Sequence, residues 1–257
     1  MILALYVFLI FIGLLLAQEI FRRFPKLALG LFLILPIILT PYWVENGIKD
    51  WFLWVKVFSI SAFAILFLIL KIKYIEENNF AKILIYLFLV VNMLEAVAKD
   101  AMSGGVDHYL NAIAGILLII TLRNIDSISV TKDKFKDVVW NKMTLMWIVG
   151  YTIWNWTFVY MNLVNFSAEN LAVIGAPLVA AFFNKGRWLQ ARVFTLATYL
   201  IFFYSFYDVY PNMSSSYWAN DFFSYYLAEA VLIFMIVYAI FFLRSCDSRL
   251  NKIKKLF

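Results

Sequence analysis

Apolar residues run along this chain in long, nearly unbroken stretches separated by short polar segments. They do not follow the two-residue alternation of a half-buried strand or the single stripe of a surface helix. Nine stretches stand out, at about 2–17, 27–44, 51–70, 83–98, 109–122, 143–161, 171–183, 193–209 and 222–243. A helix needs about 20 mostly apolar residues to cross a bilayer. The pattern therefore predicts an all-α, polytopic transmembrane helix bundle of about nine spans, with 1–257 as a single transmembrane domain. The fifth and seventh stretches are short and extend backwards to Gly105 and Ser167. The seventh contains Pro177. If it is re-entrant and does not cross, eight spans remain. The first stretch lacks a basic leader and a small-x-small cleavage site, so it reads as a helix and not as a signal peptide.

The charges orient these spans. With the amino terminus outside and the spans alternating, nineteen of the 22 lysines and arginines fall on the inner side. Lys49 and Lys99 fall outside, and Lys56 lies within the third span. Such asymmetry follows the positive-inside rule and places the carboxyl end in the cytoplasm. If the seventh stretch did not cross, the basic tail would lie outside, so crossing is favoured.

Composition narrows the class further. Hydrophobic residues make up 65% and charged residues 15%, against about 45–50% and 25% in soluble domains. Mean hydropathy is +0.85. One soluble core would not bury that much apolar surface. The net charge of +6 is explained by cytoplasmic loops beside anionic lipid, so no nucleic-acid partner is expected. The single cysteine, Cys246, excludes an intramolecular disulfide, and the single histidine, His108, excludes a histidine cluster. No metal and no cofactor is expected. Segment 124–141 carries Lys132, Asp133, Lys134, Lys136 and Asp137, and is expected to form a short amphipathic surface helix capped by Thr131. On the outer side, Tyr42, Trp43, Trp51 and Trp54, and a second aromatic group between Tyr204 and Tyr226, read as an interfacial belt. The alternative is an aromatic-lined mouth for a cationic or ring-bearing ligand.

Polar groups at membrane depth are the candidate functional positions, because such groups are costly there and face the bundle interior or a water cavity. Asn92, Glu95 and Lys99 share one face of the fourth span, with Glu95 and Lys99 as an i, i+4 pair. Glu95 reads either as a proton or cation site or as the anchor of an ion pair. Lys56 either snorkels outward or pairs with Glu95 or Glu229. Asn111 lies among small residues of the fifth span, where helix packing is the default reading. On the sixth span Tyr151, Asn155, Phe158 and Asn162 share a face. Asn155, between Trp154 and Trp156, reads as a solute-binding amide or as interhelical glue. Lys56, Glu95, Asn111, Asn155, Asp208 and Glu229 all fall in the outer or middle part, which suggests an outward-facing polar cavity. Asp100, Asp107 and His108, around Gly104 and Gly105, are expected in a solvated loop. An inner-face polar cluster is expected from Glu19, Arg187, Gln190 and Arg192, with Glu19 pairing Arg192 or the arginines meeting lipid phosphate.

No nucleophile, zinc or phosphate-loop motif is present. Several ordered stretches nevertheless carry a resemblance: Q-E-I-F-R-R (18–23), W-F-L-W-V-K-V (51–57), N-M-L-E-A-V-A-K-D (92–100), N-A-I-A-G-I-L (111–117), T-K-D-K-F-K-D-V-V-W (131–140), Y-T-I-W-N-W-T-F-V-Y (151–160) and G-R-W-L-Q-A-R-V-F-T-L (186–196). Together they resemble a family of bacterial polytopic membrane proteins described as a domain of unknown function. The resemblance implies a bacterial cytoplasmic membrane location and one fold unit, and it implies no substrate. The stretch between Asp100 and Asn111 is shorter than that resemblance leads one to expect.

From these features the sequence points to a transporter or channel for a small solute or ion. Two other readings stay open: an intramembrane enzyme or lipid-handling protein, and a sensor or assembly partner without catalysis. The expected partners are the bilayer, anionic lipid at the cytoplasmic face and a small solute or ion. Oligomeric state is not legible.

Overall fold

A computed structural model describes residues 2–75, 78–206 and 214–254. Among them nine α-helices follow in order: α1 (Ile2–Arg23), α2 (Pro25–Glu45), α3 (Trp51–Lys73), α4 (Asn79–Ser103), α5 (Val106–Thr121), α6 (Leu145–Asn162), α7 (Ser167–Phe183), α8 (Trp188–Ser205) and α9 (Asp221–Lys254). Each of the nine apolar stretches has become one helix. Asp208, Tyr207 and Tyr210, which the sequence placed at the outer side, lie outside the described residues.

Local chemistry sets the helix ends. Pro25 opens α2 at a position where its missing N–H is not needed. Asp50 caps α3 by accepting from Phe52 N, Asn78 caps α4 through Phe80 N and Ala81 N, and Thr144 caps α6 through Trp147 N. Gly104 and Gly105 have φ of +74° and +95°, and so turn the chain straight from α4 into α5. Pro177 sits inside α7 without ending it.

Six segments are long and apolar enough to cross a membrane: Ile2–Arg23, Pro25–Glu45, Trp51–Lys73, Asn79–Ser103, Val164–Phe183 and Asp221–Arg244. Their outer surface is apolar, with Leu5, Phe8, Leu16, Ile37, Ile38, Ile233 and Phe241 exposed. That is the reverse of a soluble surface, where large contiguous apolar patches are rare. The other three helices, α5, α6 and α8, are 16 or 18 residues long. At 1.5 Å per residue an 18-residue helix is about 27 Å long, close to the hydrocarbon thickness of about 30 Å.

Helix α8 is the axis of the bundle. All of it is buried except Thr198, Phe202 and Ser205. It packs against α1, α2, α3 and α7, while α6 packs against α4, α5, α7 and α9. The aromatic groups divide accordingly. Tyr42, Trp51, Tyr217 and Phe222 are exposed, as a belt requires. Trp43 is fully buried: its Nε1 donates to Ser205 Oγ at 3.1 Å and its ring meets Tyr204 edge-on.

Segment 124–141 is not the expected surface helix. It forms a two-stranded antiparallel hairpin, β1 (Ile128–Val130) and β2 (Val138–Trp140), with Ile128 opposite Trp140. Two features favour this. Asp133 Oδ1 accepts from Phe135 N and Lys136 N and closes a local turn. The run Val138-Val139-Trp140 is β-branched and aromatic, suits a strand and is buried in full.

Candidate functional site

A cavity of about 70 Å³ lies between α3, α4, α6, α7 and α8. One water takes about 30 Å³ of liquid volume, so the space holds about two. Its polar lining is Lys56, Asn92, Asn155, Asn170, Arg192 and Tyr199, set among Phe52, Phe158, Leu196 and Phe203. Helical spacing creates this wall. Arg192, Leu196, Tyr199 and Phe203 recur at i, i+4, i+7 and i+11 along α8, and Phe166, Asn170 and Val173 share a face around the start of α7.

Lys56 is held firmly. Its Nζ donates to Glu95 Oε2 at 3.0 Å and to the Asn92 carbonyl at 2.9 Å, and Ser59 Oγ lies 3.4 Å from the same carboxylate oxygen. Of the three expectations for Lys56, pairing with Glu95 is the one realised. The i, i+4 pair of Glu95 with Lys99 does not form, because Lys99 Nζ turns to Asp50 Oδ2 at 3.3 Å. Both charges of the Lys56–Glu95 pair are almost buried, where an intact pair persists but a half-pair is costly.

Arg192 is placed differently from expectation. It does not lie on the inner face with Glu19. Because α8 begins at Trp188, Arg192 is already inside the helix, 4% exposed, and faces the cavity. One Nη donates to Asn155 Oδ1 at 2.9 Å and the other to the Val173 carbonyl at 3.2 Å. Among the described residues it has no ion pair, and its Nε has no hydrogen-bond partner. Two further buried atoms of lining residues also lack partners, Asn92 Nδ2 and Asn170 Oδ1. Buried polar groups are normally satisfied, and three of the exceptions among the described residues belong to residues that line this cavity.

Other candidates belong elsewhere. Asn111 donates to Asp100 Oδ2 at 2.7 Å, and its carbonyl accepts from Trp154 Nε1 at 2.9 Å. Asp100 is not solvated. It is fully buried at the end of α4, also accepts from Asn162 Nδ2 at 2.6 Å, and lies 3.0 Å from His108 Nδ1. Asp100, Asn111, Asn162 and Trp154 thus lock α4, α5 and α6 together behind the cavity wall. Glu229 is half-buried on α9, a helix that contributes nothing to the lining. Of the six groups expected to share one outer cavity, Lys56 and Asn155 line this one and Glu95 is the ion partner of Lys56, while Asn111 and Glu229 lie elsewhere and Asp208 is outside the described residues; Asn92 joins the lining.

Three residues were missed as site candidates. Asn170 and Tyr199 line the cavity, and the i, i+4, i+7 spacing was the signal that would have found them. Glu169, beside Asn170, is fully buried, and neither carboxyl oxygen has a hydrogen-bond partner.

The inner-face cluster forms without Arg192, and its centre is Asp137 on the hairpin. Asp137 accepts from Lys71 Nζ at 3.0 Å, Gln190 Nε2 at 2.9 Å and Arg22 Nε at 2.8 Å, with Arg187 at 3.6 Å. Gln190 Oε1 accepts from Val138 N. Burial disfavours the Asp137 charge, but Lys71, Gln190 and Arg22 outweigh it and hold the carboxyl below its ordinary range. Burial pulls the Arg187 guanidinium down, opposed by Asp137. Glu19 pairs with Arg22, Arg23 and Arg187, not with Arg192. Lys71 lies fifteen positions from Lys56 on α3, about 22 Å along the axis, whereas on α8 Gln190 of this cluster and Arg192 of the cavity are two positions apart.

Together these features define a membrane-type helical bundle with a small, mostly apolar cavity that carries a few polar and charged side chains. The chain belongs to a family of unknown function (DUF5692), which it matches over residues 1–255. No curated protein and no solved structure matches it.

Proposed function

We propose that the protein is a multi-pass transporter or channel for a small solute, seated in a bacterial cytoplasmic membrane with its amino terminus outside. The single observation that carries this reading is the cavity between five helices, with three buried polar atoms that no protein group satisfies. The distribution of charge supports the orientation: the Asp137 cluster and the basic segments share one end. The volume limits the solute to a few heavy atoms, far below the about 300–1,000 Å³ of pockets for drug-sized ligands.

Water access tests it. In a Cys246→Ser background, cysteines are placed singly at Asn92, Asn155 and the exposed Tyr217, and intact cells are treated with a membrane-impermeant thiol reagent. Labelling at 92 and 155 is expected. Labelling at 217 alone, together with no solute flux in proteoliposomes, overturns the reading.

A further inference from the structure

We infer that the solute is a small monovalent oxyanion, held in the cavity by the guanidinium of Arg192 and the side-chain amide of Asn92. This rests on the transport reading and names its substrate class.

The argument is one of charge and donors. Two cations line the cavity, Lys56 and Arg192. Glu95 neutralises Lys56 at 3.0 Å. Arg192 has only neutral partners, the Asn155 amide oxygen and the Val173 carbonyl, and Glu169 makes no ion pair with it. A guanidinium stays charged wherever it is buried, and an isolated buried charge is strongly unfavourable without a counter-ion. The site therefore carries one uncompensated positive charge, which attracts an anion and repels a cation.

The orphan atoms fit the same ligand. Arg192 Nε and Asn92 Nδ2 are both donors without acceptors, and the planar guanidinium fork matches planar oxyanions. Asn170 Oδ1, an acceptor without a donor, takes a co-bound water or the O–H of a hydrogen-bearing anion. The size of the cavity admits an anion on the scale of formate, nitrate or bicarbonate and excludes gluconate.

The test uses the full-length protein in detergent at fixed pH and ionic strength. Unfolding temperature is followed as sodium gluconate is replaced by sodium formate, nitrate or bicarbonate. A saturable rise is expected with at least one of the three, because a ligand that binds only the folded state stabilises it. Exchanging sodium for potassium or choline in gluconate is expected to change nothing. Arg192→Gln is expected to weaken the response at least tenfold. Asn92→Asp guards against misfolding of that variant: it places a carboxylate in the lining that holds Arg192 and so compensates the cavity's charge, and it is expected to unfold no lower than wild type in gluconate and to lose the anion response. No response of wild type to any of the three anions, a response to the cation instead, or a wild-type response in Asn92→Asp overturns the inference. Flux of the stabilising anion in proteoliposomes separates the two levels. Binding without flux overturns the transport reading and leaves the anion site standing. Flux of a cation with no anion dependence does the reverse.

Discussion

Lys71, near the end of α3, donates from its Nζ to Asp137 Oδ1 at 3.0 Å, and both side chains are essentially sealed from solvent. The pair joins a transmembrane-type helix to a hairpin whose turn is rich in charge. Removing one partner leaves the other buried and unpaired. Asp137→Ala is therefore expected to destabilise the folded protein by about 3–5 kcal/mol. Thermal unfolding of the purified variant checks this, and a change below about 1 kcal/mol would show that the cluster is dispensable.

The same carboxyl predicts a pH dependence. Its folded value lies below its ordinary 3.8, so the unfolded chain binds the proton more readily. The stabilisation is complete above that ordinary value and is lost as pH falls toward the lower folded one. Wild type is expected to lose its advantage over Asp137→Asn in that acid window and to keep a constant advantage at neutral pH. Parallel unfolding curves across the acid window would contradict this.

Lys56 and Glu95 are coupled across α3 and α4. Glu95→Gln and Lys56→Met are each expected to cost about 3–5 kcal/mol, since either leaves a buried group without its partner. The double variant is expected to be far less damaged than the sum, giving a coupling energy of about 1–3 kcal/mol. Additive losses in the cycle would mean that the pair contributes nothing as a pair.

Gly115 marks a close approach of α5 to α4 and α6. A Cβ there would stand 2.7 Å from Val97 Cγ2 and 2.9 Å from the Trp154 ring. Gly115→Ala is expected to destabilise by about 1–3 kcal/mol. Gly30→Ala, on α2 with nothing within 4 Å, is expected to be neutral or to stabilise by up to about 1 kcal/mol. Equal effects at the two positions would refute the packing argument.

Glu169 makes no hydrogen bond although it is fully buried. Its replacement by Met removes an unsatisfied polar group and is expected to raise stability by about 1–3 kcal/mol. A drop in unfolding temperature would reveal a role for the carboxyl in holding the folded state.

The nine helices were legible because apolar runs of that length have few alternatives. Their ends were less so. The apolar run of α8 begins at Val193, but the helix begins at Trp188, because Gln190 and Arg192 find partners on the hairpin, α6 and α7 and so tolerate burial. That difference moved Arg192 from the inner face to the cavity. Asp100 was misjudged for a related reason. The Gly104–Gly105 turn looks like an exposed loop in one dimension, but it folds His108 and Asn111 back onto the carboxylate. The hairpin was hidden because its turn is as charged as a surface helix, and only the contacts of Asp137 show that it is docked. Partner identity across helices was the missing information in each case, and no periodicity within one helix supplies it.

The position of the Asp137 cluster has a mechanical consequence. One carboxylate ties the end of α1 through Arg22, the end of α3 through Lys71 and the start of α8 through Gln190. Two of those helices also wall the cavity, α3 through Lys56, about 22 Å along the axis from Lys71, and α8 through Arg192, two positions from Gln190. The clasp that docks the hairpin therefore also fixes the α8 wall of the cavity beside Arg192.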